Sequence, residues 1–422
     1  MNRFLTALFA GLLTLGLVFP GLSWADDPEP ADDSTSASLV ANAWESDNTE
    51  AAPQDDGPSL NVSVGGSLRF NVLFRSYGAD TDFENKADRK LGDGGFTFDT
   101  FRINASGSYG KLVFDAEYAI YPQSFGSLFL HHGWVGYDFS DARKIRVGVS
   151  QVPFGIQPYA SSSWFFNNTY YVGLEDDYDA GVKAMFSPGN WDIQGAYYMN
   201  AEDNTFYGSS AAARYSYDVV PGQSRATSEE HQFNAKVAYQ FNHGDLGFTK
   251  VGASGQRGQL LNESTGETDW HAAYALHFQG RYGGFGAKLE YAQQQLNPPG
   301  YDDDRYVVMG AYNGTYRVAS EHTVYSSSLS YRIPVNAGPI SQIKPYYDFS
   351  LVSKDVSGWN DNVSHITGFL TSAGPLFVYT DLIVSKGHPF NQPFDGSFAS
   401  VMAEQTDNEW RTAFNINIGL YF

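Results

Sequence analysis

From Trp410 to Phe422 the chain reads in strict alternation. Trp410, Thr412, Phe414, Ile416, Ile418, Leu420 and Phe422 form one set, and Arg411, Ala413, Asn415, Asn417, Gly419 and Tyr421 the other. Successive side chains of a strand point to opposite faces, so one face is greasy and the other polar or small. A single stretch of this kind fits any half-buried antiparallel strand. The constraint comes from its recurrence. Leu60, Val62, Val64, Leu68, Phe70, Val72 and Phe74 alternate with Arg69, Asn71 and Arg75; Phe101, Ile103 and Ala105 alternate with Arg102, Asn104 and Ser106.

Reversals punctuate these strands at Tyr109-Gly110, Ser140-Asp141, Pro188-Gly189, Asn242-His243-Gly244, Tyr282-Gly283, Ala337-Gly338 and Ala373-Gly374, mostly with the Gly, Pro and Asn of hairpin turns. Longer segments lie between them: 77–94, 152–177, 202–228, 258–268, 296–320, 355–361 and 388–407. With the short turns on one side and the long segments on the other, the count is about sixteen strands, an even number as in bacterial barrels. Arg305 to Tyr316 also looks like a strand, but admitting it as a crossing breaks the up-and-down order, so it belongs inside a long loop. In hydrocarbon every backbone N–H and C=O needs a partner, which only helices and closed barrels provide. A soluble sandwich would need an apolar interior, whereas Arg, Lys, Asp, Asn and Gln recur on the face opposite the greasy one. The expected fold is all-β: a 16-stranded antiparallel transmembrane β-barrel whose lumen holds water. The aromatic carboxyl terminus resembles the closing strand of Gram-negative outer-membrane barrels.

Composition agrees. Aromatic content of 16% with 43 glycines suits girdles and tight turns, and a mean hydropathy of -0.34 opposes a helical membrane protein. With no cysteine, no disulfide is called for in an oxidising compartment. Residues 1–25 carry Arg3, an apolar stretch from Phe4 to Val18 and a Ser23-Trp24-Ala25 exit, the pattern of a cleaved secretory signal peptide. Residues 26–59 hold 10 acids and no base and read as an acidic, flexible periplasmic tail, leaving 60–422 as the barrel. The formal charge of -21 excludes nucleic acid as a partner, and about half of it belongs to the tail, so its sign is not the sign of the pore.

By parity the inward bases include Arg69, Arg75, Arg102, Lys144, Arg146, Lys183, Lys236, Lys288, Arg332, Lys344 and Arg411. Fewer acids face inward: Asp115, Glu117, Asp192, Glu290, Asp348 and Asp381. Charged rings and ladders set ion selectivity at close quarters, although a merely solvated polar lumen would carry the same residue types. Segment 152–177 begins Val152-Pro153-Phe154-Gly155 and carries Ser161-Ser162-Ser163-Trp164-Phe165-Phe166, aromatics that would be a liability on the surface. Folding inward would make it a constriction loop, with Glu175, Asp176, Asp177 and Asp179 facing the wall bases Arg69, Arg102 and Arg146.

The block Phe101-Arg102-Ile103 with Tyr109-Gly110-Lys111-Leu112-Val113-Phe114-Asp115-Ala116-Glu117-Tyr118 resembles the phosphate-selective porin O and P family. The similarity continues through Trp134-Val135-Gly136-Tyr137, Arg146-Val147-Gly148-Val149-Ser150-Gln151-Val152-Pro153-Phe154-Gly155 and Asp177-Tyr178-Asp179-Ala180-Gly181-Val182, covering about residues 95–185. The resemblance implies a 16-stranded homotrimeric channel in the outer membrane of a Gram-negative bacterium, among lipid and lipopolysaccharide, with a ladder of arginines for anions such as phosphate.

The expected function is therefore a porin passing small hydrophilic solutes or ions, with no cofactor and no resident metal. A non-conducting barrel that binds surfaces through segments 202–228 and 296–320 is the alternative. Catalysis is not expected. His131-His132 has no partner at a telling spacing, and adjacent residues of a regular strand face opposite sides. Asp302-Asp303-Asp304 lacks the ligand spacing of a calcium loop, and no phosphate-binding loop, dinucleotide fingerprint or zinc cluster occurs.

Overall fold

The computed structural model describes residues 58–77, 95–202, 211–393, 398–404 and 408–422. The expected signal peptide, nearly all of the acidic segment 26–59 and most of segment 77–94 lie outside the described residues.

The first seven strands run up and down in turn: β1 Leu60–Arg75, β2 Gly95–Tyr109, β3 Leu112–Ile120, β4 Leu128–Ser140, β5 Arg143–Gln151, β6 Tyr178–Phe186 and β7 Trp191–Ala201. A two-residue strand, β8 Asp218–Val219, interrupts the series. The series resumes with β9 Thr227–Asn242, β10 Gly247–Asn262, β11 Thr268–Tyr282 and β12 Phe285–Leu296. A short hairpin, β13 Tyr306–Ala311 and β14 Gly314–Ala319, precedes β15 Glu321–Tyr331, which breaks at Arg332 and continues as β16 Ile333–Ala337. Three more hairpin-linked strands and a last one follow: β17 Ile340–Lys354, β18 Asn362–Ala373, β19 Leu376–Lys386 and β20 Arg411–Tyr421. Counting β15 and β16 as one crossing, sixteen antiparallel strands pair neighbour to neighbour, and β20 pairs with β1 to close the cylinder.

The seam is tight. Gly66 and Phe422 exchange backbone hydrogen bonds of 2.8 and 3.0 Å, and the Phe422 ring stacks on Phe101. Gly66 has no room for a side chain, since a Cβ would stand 2.2 Å from the Arg102 carbonyl. Tight reversals at the opposite pole from the long loops use glycines with left-handed backbones at Gly110, Gly189, Gly244, Gly283, Gly338 and Gly374.

Burial inverts that of a soluble protein. Arg69, Asn71, Arg75, Asn415 and Asn417 are buried, whereas Val64 (70%), Phe233 (61%) and Leu276 (58%) are exposed on the outer face. Aromatics flank the tight turns on the outside: Tyr109, Phe139, Trp191, Phe241, Phe285 and Tyr331 form the lower girdle. Every residue of Trp410–Phe422 follows this rule until the strand end, with Arg411, Ala413, Asn415, Asn417 and Gly419 buried.

Segment 305–316 does not cross the membrane. β13 and β14 pair with each other, and β13 pairs with β8, in a separate three-stranded sheet at the mouth. Strand β10 runs on to Asn262, so loop 258–268 is shorter than its composition suggested. At the mouth the chain builds a dry core. Tyr217, Val219, Val307, Met309, Tyr316, Val318, Val401 and Met402 pack with Tyr170, Tyr171, Val172 and Leu174 of the inserted loop. Their support is the upper ends of β10, β11, β12, β15 and β17, through Leu260, Ala273, Ala275, Ala292, Leu296, Val324 and Val352.

If the exposed face meets hydrocarbon, Leu276→Arg should destabilise folding into lipid vesicles by about 2–4 kcal/mol, as cations near the midplane of a barrel do. Gln279, on the opposite face, should accept arginine with little loss. Urea unfolding of the two variants in vesicles checks this, and equal costs would reverse the assigned faces.

Candidate functional site

The loop between β5 and β6 enters the lumen and is held there by its own backbone. Leaving β5 it turns at Gly155, whose left-handed backbone and missing Cβ allow Glu290 to come close; an added Cβ would meet Glu290 Oε2 at 2.4 Å. The Ile156 N–H donates to that same Oε2 at 2.7 Å, and the Gly155 N–H to Ser254 Oγ at 2.9 Å. Further along, Ser162 and Ser163 both donate their N–H groups to Asp348 Oδ2, at 2.9 and 2.7 Å. Trp164 donates to Asp381 Oδ2 at 3.1 Å, and Asn168 to Ser350 Oγ at 2.9 Å. Carbonyls are served in turn by Lys288, whose Nζ reaches Tyr159 O at 2.7 Å. An extended segment without ladder partners must satisfy its amides somewhere, and here the wall carboxylates do it.

The acids expected to face the wall bases are engaged elsewhere. Glu175 closes the loop on itself, accepting from the Ala160 and Ser161 N–H groups and from the Ser161 and Thr169 hydroxyls. Burial pushes its carboxyl up, and those hydrogen bonds from Thr169 and Ser161 oppose the rise. Asp176, in a left-handed conformation, accepts from the Tyr215 hydroxyl at 2.6 Å and from Gln151 Nε2 at 3.2 Å. Asp177 and Asp179 are buried where the loop rejoins β6, with Asp179 accepting from Gln232 at 3.0 Å. These four carboxylates therefore belong to the stem of the loop, and its tip carries Ser161 to Phe166. The physical reason is the turn at Tyr170–Val172, which packs into the mouth core and carries the following residues up to the rim.

A cavity of about 890 Å³ runs from the mouth loops, at Tyr312 and Phe390, to the tight turns at Gly284 and Gly374. Arg69, Arg75, Arg102, Lys288, Arg332, Lys344 and Arg281 line it, against Asp99 as the one lining carboxylate among the described residues. Six of the eleven bases expected to face inward (Arg69, Arg75, Arg102, Lys288, Arg332 and Lys344) are thus brought together there. Arg146 is not; it pairs with Asp138 at 2.6 Å and covers the Trp134 ring. Lys183 sits behind the loop, donating to the Gln151 carbonyl at 2.8 Å. Arg281 escaped the parity reading, although it shares a face of β11 with Gln279.

In the upper neck Arg69 pairs with Asp99 at 3.3 Å and lies 4.4 Å over the Trp164 ring of the loop tip. Arg102 pairs with Glu117 at 2.9 Å and shares the Tyr121 hydroxyl with Arg69. Phe165, Phe166 and Tyr170 add aromatic surface to the same space.

Two bulges decide what faces this neck. In the β1–β2 pairing Arg69 opposes Thr100 and Phe70 opposes Phe98, so Asp99 is the extra residue and turns inward. In β3–β4, Glu117 opposes His132 and Tyr118 opposes Leu130, leaving His131 as the extra residue. Both histidines are consequently buried in the interior, their Nδ1 atoms 2.9 Å apart, which corrects the expectation that they face opposite sides.

The fold is that of outer-membrane porins and channels. The outer membrane channel DcaP of Acinetobacter baumannii superimposes with a TM-score of 0.56 at 10% identity, over 89% of this chain and 100% of that one. OmpF of Salmonella typhi, in complex with daunomycin, gives 0.55 at 12% identity over 88% and 99%. An anion-selective porin from Comamonas acidovorans gives 0.52 at 14% over 86% and 100%. No protein-family model matches the chain, and no curated protein matches it in sequence.

Freeing the loop tip should widen the channel. Asp348→Ala removes the acceptor of two charge-assisted hydrogen bonds, each contributing about 1.5–3 kcal/mol. Single-channel recordings should then show larger and noisier conductance than the parent. Unchanged conductance would mean that Ser162–Trp164 does not set the neck.

Proposed function

We propose that this protein is an outer-membrane porin for passive diffusion of small hydrophilic solutes, with a preference for anions. The preference is carried by one observation: among the described residues, seven bases against one carboxylate line the cavity, in a chain whose overall charge is strongly negative. Facing charges and low-dielectric walls raise the local concentration of counter-ions, so a cationic neck gathers anions and repels small cations. The narrow, hydrogen-bonding wall also disfavours apolar solutes, which would have to displace oriented water. Similarity to an anion-selective porin supports the same reading at the level of fold.

Phosphate as the solute rests on the sequence resemblance at residues 95–185, and block of the chloride current by added phosphate is its check. A homotrimer in a bilayer of lipid and lipopolysaccharide fits the greasy outer belt, and OmpT of Vibrio cholerae, with a TM-score of 0.52, is described in a trimer form. Surface adhesion through segments 202–228 and 296–320 finds less support, because their described residues Tyr217, Val219, Val307, Met309 and Val318 turn inward into the mouth core.

In a salt gradient across a planar bilayer, the reversal potential of the parent channel should have the sign of anion selectivity. Replacing Arg75, Arg332 and Lys344 together by Gln should lower the anion-to-cation permeability ratio several-fold. Arg146→Gln, which removes a base outside the cavity, should leave it unchanged. Absence of conductance steps would refute the porin reading, and a cation-selective parent would refute the anion preference alone.

A further inference from the structure

Five carboxylates converge at the rim where the inserted loop rejoins the barrel. Asp177 ends the loop, Asp179 begins β6, Glu202 follows β7, Asp218 lies in β8 of the mouth sheet and Glu229 is near the start of β9. Asp177, Asp179, Glu202 and Asp218 are each less than a tenth exposed. Among the described residues one base is paired into the group, Arg214, which donates to Asp218 Oδ2 at 2.9 Å. Even with that pair neutralised, Asp177, Asp179, Glu202 and the half-buried Glu229 remain together, the first three with little exposure to solvent. Like charges so placed repel strongly in a low dielectric.

Neutral donors take up only part of the oxygen. Ser216 donates its N–H and its hydroxyl to Glu202 Oε1, at 2.8 and 2.6 Å. Val219 N–H donates to Glu229 Oε1 at 2.8 Å, and Gln232 to Asp179 Oδ2 at 3.0 Å. Among the described residues, three buried oxygens find no N–H or hydroxyl donor: Asp177 Oδ1, Asp179 Oδ1 and Glu202 Oε2. Leaving such atoms dry is costly, and a buried charge is ordinarily paired or bound to a cation.

The spacing indicates what would satisfy them. One oxygen from each of Asp177, Asp179 and Asp218 lies within 4.8 Å of the others. A calcium ion takes oxygen at 2.3–2.6 Å, so oxygens on its opposite sides stand up to about 5 Å apart. Magnesium, at 2.0–2.1 Å, spans about 4 Å and demands a stricter octahedron. We propose that Asp177, Asp179 and Asp218, with Glu202 beside them, form a binding site for a divalent cation of the calcium class.

Such an ion would fasten three separately folded pieces: the stem of the inserted loop, the rim of β6 and the mouth sheet. Burial, and then Asp179, Asp218 and Glu202, push the Asp177 carboxyl well up; this is the strain that a cation would relieve.

Calcium chloride titrated into chelator-stripped, detergent-folded full-length protein tests the proposal by calorimetry and by thermal unfolding. One saturable site per chain is expected, with a dissociation constant on the order of 10⁻⁴–10⁻³ M as in other extracellular calcium sites. The unfolding midpoint should rise with calcium and less with magnesium. Asp177→Asn with Asp179→Asn should weaken binding at least about tenfold and remove the calcium-dependent rise. Heat-modifiable migration on a gel verifies that this variant has folded, and Asp218→Asn serves in its place if it has not. Absence of saturable binding to the parent protein overturns the proposal, as does binding that survives the substitutions.

Discussion

Backbone hydrogen bonding in a medium without water governs this molecule. A strand edge left open in hydrocarbon would strand a row of N–H and C=O groups, each costing several kcal/mol. The pairing of β20 with β1 removes both edges at once, and the exchange between Gly66 and Phe422 seals the lower end of the seam. Once the cylinder is closed, the two faces of every strand acquire opposite solvents. Everything else, including the greasy exterior and the arginines within, follows from that division.

The same requirement explains how the interior is furnished. A loop entering the lumen brings amides with no ladder to join, so it needs acceptors on the wall. Glu290, Asp348 and Asp381 fill that role, and in doing so they are taken out of the pore's electrostatics. The lumenal acids are thereby largely occupied as hydrogen-bond acceptors for structure, while among the described residues the cavity is lined mainly by bases. Counting charge over the chain would give the opposite sign.

The barrel was legible because period-two alternation is a property of each strand taken singly, and sixteen strands repeat it. Placing 305–316 in a loop followed from topology, which forbids an odd crossing. Parity failed at the bulges, where one inserted residue shifts the faces beyond it; Asp99 and His131 each turn inward for that reason. The inward positions of Asp348 and Asp381 could be read, but their partners are amides more than 180 residues away in the chain, and nothing local announces them. Glu175 to Asp179 were read as pore acids because they lie in the entering loop. Which part of a loop becomes its tip is decided by what its stem packs against, and the Tyr170–Val172 turn meets residues from three other loops.

That packing has a consequence for the route through the channel. The mouth core rests on the upper ends of β10 to β12, β15 and β17, so the space above the inserted loop on that side is filled with apolar side chains. Arg69, Arg75 and Arg102 come from β1 and β2, across the barrel from that support. The cavity lies between these arginines with the aromatic tip at Trp164 to Phe166 and, lower on the opposite wall, Arg281, Lys288, Arg332 and Lys344. Aromatic richness thus serves two unlike purposes in one chain, flanking the tight turns on the outer face and filling the mouth. On the proposed function, the apolar loops that fill the mouth shape the approach to the neck as much as the bases that line it.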